Sequence, residues 1–153
     1  MKKLHITVDI TMGVEILKTK ALEILGKLDS DELKSYLNNI SVNSVLVFGS
    51  VTNGNFNEES DVDIAVLGTS KLPIKDILKL ELFLEDLLER NIDVIDLNSD
   101  TLDIFIKIDI LNTGKSIYSI DNNTLLQEFS ERVDWYYREN EHYFNCRKRD
   151  LLS

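Results

Sequence analysis

Cys146 is the only cysteine of the chain, so no internal disulfide can form and a reducing cytoplasm is the expected setting. Positive charge is scarce too. Lys and Arg number 17 against 27 Asp and Glu, a formal net charge of −10. Such a balance disfavours polymeric nucleic acid, whose binding rests on cations neutralising phosphates. No apolar run approaches the roughly 18–20 residues of a membrane span. Met1-Lys2-Lys3-Leu4-His5-Ile6-Thr7 lacks the apolar block of a secretory signal. A Gly-x4-Gly-Lys-Ser/Thr loop is absent, which leaves a kinase or P-loop ATPase unsupported. His5 and His142 stand apart from any metal-ligand spacing and are expected to be structural.

What is present is an ordinary globular composition, 43% hydrophobic and 29% charged, at a length of 153 residues that suits one domain. Leu4, Ile6, Val8 and Ile10 alternate with polar residues as in a strand. Val14, Leu17, Ala21, Ile24, Leu25 and Leu28 then follow helical spacing. A second helix over Asp31 to Asn39 is expected, capped by Ser30. Ser44–Phe48, Asp61–Leu67 and Ile92–Leu97 read as core strands, and Ser116–Ile120 as a shorter one. Pro73 suits the first turn of a helix to about Arg90, with Ile77, Leu80, Leu84, Leu87 and Leu88 on one face. A helix over Leu102 to Asn112 closes at Gly114, and one long helix is expected from about Asn123 to the end. Strands alternating with helices predict an α/β fold, a small mixed sheet flanked by helices. Residues 1–40 are expected to form an appendage packed on a core of residues 41–153.

The acidic excess is concentrated. Residues 41–100 hold twelve acids and four bases, which is eight of the ten net negative charges. Within this stretch lies Gly49-Ser50, then ten residues, then Asp61-Val62-Asp63. Strand residues two apart share a face, so Asp61 and Asp63 present paired carboxylates, hard oxygen ligands suited to Mg²⁺ carrying a nucleotide's phosphates. Gly49 lets a backbone approach phosphate, and Ser50 offers its hydroxyl and amide. A third carboxylate is expected from Ile92-Asp93-Val94-Ile95-Asp96-Leu97. Asp93 and Asp96 point to opposite faces and only one can serve; Asp93 is preferred, because Asp96 sits at the strand's exit. Two carboxylates that hold metals and a third that accepts a proton describe two-metal nucleotidyl transfer. An Asp-x-Asp alone would more often be a solvated strand face; the fixed offset from Gly-Ser argues against that.

These motifs resemble the minimal nucleotidyltransferase (MNT) family of the DNA polymerase β superfamily. Ile110-Leu111-Asn112-Thr113-Gly114-Lys115-Ser116-Ile117-Tyr118 looks like the family's helix-Gly-strand segment. The closing helix, with Phe129, Tyr136-Tyr137 and Arg147, is similar to the tail of its MntA-type antitoxins. The resemblance covers about residues 42–152. It implies the polymerase β-type fold with a long C-terminal helix. It also implies ATP on Gly49 and Ser50, and two Mg²⁺ ions on Asp61, Asp63 and a third carboxylate. The implied partner is a HEPN-domain ribonuclease toxin, silenced in a hetero-oligomer by AMP transfer to a tyrosine. The family often carries Ala-Arg-Gly shortly after Gly-Ser, where this chain has Thr52-Asn53-Gly54. Asn53 supplies no guanidinium, and Arg90, Arg147 or Lys148 are candidates to compensate. Two other readings are an antitoxin that acts by binding alone and a small-molecule nucleotidyltransferase, for which 153 residues leave little room.

In the last helix Phe129, Val133, Tyr136 and Tyr143 or Phe144 follow one stripe, expected to pack on the domain. Trp135 and Tyr137 fall off it and are candidates for a partner interface. Arg147-Lys148-Arg149 suits the helix dipole, with a triphosphate or an acidic partner as the sharper alternative.

Overall fold

The computed structural model describes residues 20–54 and 56–152. The expected strand at 4–10, the start of the first helix and His5 lie outside the described residues. Helix α1 is described over 20–28 and is followed by α2 (Asp31–Asn38). Ser30 caps α2 as its residue type predicts, its Oγ accepting from the Leu33 N–H at 3.3 Å. Then come β1 (Ser44–Phe48), the one-turn α3 (Ser50–Asn53), β2 (Val62–Leu67), α4 (Ile74–Leu88) and β3 (Ile92–Asp96). The chain continues with α5 (Ile104–Thr113), β4 (Lys115–Ser119), α6 (Thr124–Glu139) and α7 (Glu141–Leu152). Asp103 caps α5 through the Phe105 N–H, and the Gly114 N–H closes it on the Ile110 carbonyl at 2.7 Å. No described helix is long and apolar enough to cross a membrane.

The four strands lie in the order β3-β2-β1-β4, with β2 and β3 parallel and both other pairs antiparallel. The parallel pair requires a crossover, which α4 supplies. Alternation then sorts the side chains onto two faces. Val45, Val47, Val62, Ile64, Val66, Ile92 and Val94 join Ile77, Leu80, Leu84 and Leu88 of α4 in the larger core. Ile24, Leu28, Leu33 and Leu37 belong to the same core, and Tyr36 of α2 stacks on Phe83 of α4 at 4.3 Å. On the opposite face Leu46, Ala65, Leu67 and Leu97 pack against Ile110 of α5 and Phe129 of α6.

The terminal helix is not continuous. It breaks at Asn140, whose side-chain amide donates to the Tyr136 carbonyl at 2.9 Å while its own N–H reaches the Tyr137 carbonyl. The break changes which aromatics face inward. Phe144 is buried, stacked on Tyr137 at 5.5 Å and edge-on to Phe105. Tyr137 therefore packs within the domain, contrary to the interface expectation. Of the expected stripe, Phe129 and Phe144 are buried, which resolves the choice between Tyr143 and Phe144; Tyr136 is exposed, contrary to expectation, and Trp135 stays exposed.

Candidate active site

Asp63, Ala65 and Leu67 alternate onto the face covered by α5 and α6, and that cover leaves the acidic end of the strand open: Ala65 and Leu67 are buried, Asp63 is half-buried. Two register pairings bracket Asp63. Phe48 lies opposite it across β1 and β2, and Asp93 lies opposite it across β2 and β3. Asp61 comes just before the strand and is exposed, as is Asp93. Burial first, and then the Asp93 and Asp61 carboxylates, push the Asp63 carboxyl above its ordinary value. The three predicted acids thus share one electrostatic neighbourhood.

Gly49 joins this neighbourhood by a route the sequence alone did not indicate. It connects β1 to α3 with φ +78° and ψ −144°, a conformation essentially restricted to glycine. A Cβ there would stand 2.4 Å from Asp63 Oδ2. The missing side chain makes room for the carboxylate as well as for any ligand. Ser50 opens α3, and the Gly49 carbonyl accepts from the Thr52 N–H and hydroxyl and from the Asn53 N–H.

Asp96 has a different role from Asp93. It faces the α4 side of the sheet, where it is buried. Its Oδ2 accepts from the Leu72 N–H at 2.8 Å and its Oδ1 from the Asn98 N–H at 2.9 Å. Each carboxylate oxygen accepts from a backbone donor, so Asp96 ties the strand exit to the segment leading into α4. Asp96→Ala is expected to cost about 2–3 kcal/mol, the loss of charge-assisted bonds to two donors, one of them buried. Asp93→Ala, at an exposed position, is expected to leave the urea midpoint nearly unchanged. Equal losses in the two denaturation curves would remove the distinction.

The arginines considered as phosphate ligands are engaged elsewhere. Arg147 pairs with Asp103, the cap of α5, and its guanidinium lies over Phe105. The Phe105 N–H first, and Arg147 with it, hold the Asp103 carboxyl below its ordinary value. Arg90 donates to backbone carbonyls of residues 57–60. The sequence signal for that contact is only an arginine three residues before Asp93.

Among the described residues no three His, Cys, Asp or Glu side chains already stand as a preassembled metal cage. The donor set still fits Mg²⁺, which prefers carboxylate oxygens, retains waters and is completed by substrate phosphates. The Asp63 carboxyl is raised by burial first and then by the Asp93 and Asp61 carboxylates, and a divalent cation would relieve that second, repulsive part.

The polymerase beta nucleotidyltransferase family model matches residues 31–123. No curated protein matches the chain at a significant level. Among solved structures, a toxin–antitoxin with AMP-PNP is similar at a TM-score of 0.63 and 20% identity, over 89% of this chain and 98% of that one. A tri-AMPylated Shewanella oneidensis HEPN toxin in complex with MNT antitoxin is similar at 0.61 and 20% identity, over 82% and 98%. An MntA–HepT toxin–antitoxin gives 0.61 and 20% identity, over 82% and 97%. At these identities the likeness is one of fold.

Proposed function

The chain belongs to the polymerase beta nucleotidyltransferase family, and we propose that it is the cytoplasmic antitoxin of a HEPN–MNT pair, transferring AMP from ATP to a tyrosine of its ribonuclease toxin. The observation that carries the reading is the gathering of Asp61, Asp63 and Asp93 beside a glycine whose missing Cβ leaves the carboxylate room. The fold shared with toxin–antitoxin structures, one with AMP-PNP and one with an AMPylated toxin, supports the partner and the nucleotide.

In this reading Gly49 and Ser50 hold the β- and γ-phosphates, and Asp61 and Asp63 hold two Mg²⁺ ions, with Asp93 contributing to one. Bound Mg²⁺ supplies charge neutralisation on the phosphates. Asp93 takes the proton of the tyrosine hydroxyl. The phenolate oxygen forms a bond to the α-phosphorus, the bond to the β-phosphate bridging oxygen breaks, and pyrophosphate leaves in line. Positioning and electrostatics do most of the work. Incubation with Mg-ATP labelled on the α-phosphate and the cognate toxin is expected to label the toxin. Transfer that survives Asp61→Ala combined with Asp63→Ala would sink the metal assignment.

One observation favours a second reading. Asn53, exposed at the end of α3, stands where the family often has arginine. An antitoxin that has lost transfer would still neutralise its toxin in cells with both aspartates replaced, whereas an enzyme-dependent one would fail.

A further inference from the structure

We propose that Arg90 is a positioning residue of the active site, clamping the turn at residues 57–60 that delivers Asp61 and so setting where that carboxylate stands relative to Asp63 and Asp93. The purpose of the clamp rests on the nucleotidyl-transfer reading; its geometry does not. One guanidinium nitrogen, Nη1, donates to three carbonyls, those of Asn57 at 2.9 Å, Glu58 at 3.2 Å and Ser60 at 3.1 Å. The guanidinium also lies 4.3 Å from the ring centroid of Phe56, which is 1% exposed. The turn is thus held from below by a buried ring and across its carbonyls by a cation.

Among the described residues the turn receives one other cation, Lys20, which pairs with the exposed side chain of Glu58 and not with the backbone carbonyls that Arg90 holds. The turn has local bonds of its own: Asn57 Oδ1 accepts from the Glu59 N–H, and Ser60 Oγ from the Asn57 N–H. The backbone adds one more, from the Ser60 N–H to the Asn57 carbonyl at 3.2 Å, so Arg90 supplements that bond and reaches the Glu58 and Ser60 carbonyls besides. The cleft beside the turn is lined by Glu58, Glu59, Asp61, Glu85 and Glu89, with Arg90 the single cation among its lining residues. Removing that charge takes away the one cation of this lining, and Lys20 then acts on the turn only through the Glu58 side chain. The main chain adds a second tie, because the Asn91 carbonyl accepts from the Val62 N–H at 3.0 Å. Arg90 and Asn91 therefore hold residues 57–62, and they lead directly into β3, where Asp93 stands two residues after Asn91. One short segment couples the third carboxylate to the first.

The test uses the full chain with Arg90→Gln, which removes charge and stacking, and Arg90→Lys, which keeps charge without the planar fork. Arg147→Gln, which removes the Asp103 pair at the far end of β3, reports plain destabilisation. Amide exchange over residues 57–62 is read in the free protein, and Mn²⁺ affinity is read by electron paramagnetic resonance with AMP-PNP present. Arg90→Gln is expected to speed exchange there about tenfold or more and to weaken Mn²⁺ binding about tenfold. Arg90→Lys should fall between, and it carries the test alone if Arg90→Gln does not fold. Arg147→Gln should leave both readouts unchanged. Unchanged exchange in the Arg90 variants, or equal acceleration in Arg147→Gln, overturns the clamp. Faster exchange with undiminished Mn²⁺ affinity overturns its positioning role. A wild-type protein that binds no Mn²⁺, while Arg90→Gln still exchanges faster, defeats the metal reading and leaves the clamp standing.

Discussion

Asp63→Ala is expected to lower AMP transfer by about three orders of magnitude, equivalent to about 4 kcal/mol of transition-state stabilisation, while the protein stays folded. Asp63 is the half-buried member of the carboxylate trio, flanked in register by Asp93 and approached by Asp61, so its loss removes the centre of the proposed cation site. The same crowding has a thermodynamic signature in the metal-free protein. Burial and two neighbouring acids raise the Asp63 carboxyl above 3.8, its ordinary value. A group whose pKa is raised on folding adds stability that is fully present below the unfolded value and is lost as pH rises through the folded value. Asp63→Asn should therefore gain on wild type as pH climbs above the ordinary carboxylate range, with the difference shrinking in acid. Chemical denaturation at several pH values without metal reads it directly. Superimposable pH–stability curves would refute the account of this carboxyl.

Gly49→Ala is expected to cost about 2–4 kcal/mol, from backbone strain and from overpacking. The two contributions are separable in this molecule. Gly54 also has a positive φ, +82°, yet nothing lies within 4 Å of where its Cβ would stand. Gly54→Ala carries strain alone, about 1–2 kcal/mol. Gly49→Ala adds a Cβ 2.4 Å from Asp63 Oδ2, which only displacement of that carboxylate can relieve. Transfer should fall steeply in Gly49→Ala and little in Gly54→Ala. Matching losses of stability and activity at the two positions would show that crowding by Asp63 contributes nothing.

Much of this site is legible in the sequence because its signals are local. Period-two alternation in an Asp-x-Asp pattern points to Asp61 and Asp63 as neighbours, although Asp61 stands just before β2, and an apolar strand ending in Gly-Ser announces a turn. The same holds for Ser30, Asp103 and Gly114, whose capping contacts span only a few residues. The terminal helix is where local reasoning went astray. Residues 124–152 keep helical composition throughout, and Asn140 looks like one more tolerated polar residue. Its side-chain bond to the Tyr136 carbonyl marks the end of α6, and Tyr137 packs inward on Phe144 and Phe105 while Tyr136 is exposed.

The sequence by itself determined the α/β class and the order of the four described strands with the helices between them, because side-chain periodicity and turn chemistry act over a few residues. Tertiary structure alone decided what their residues face. It aligned Asp93 with Asp63 by parallel strand register, and it turned Asp96 toward the Leu72 and Asn98 amides. It also engaged Arg90 with a turn some thirty residues earlier in the chain. The local Asn98 amide aside, each depends on two segments distant in sequence meeting in space, and no pattern within either segment encodes its partner.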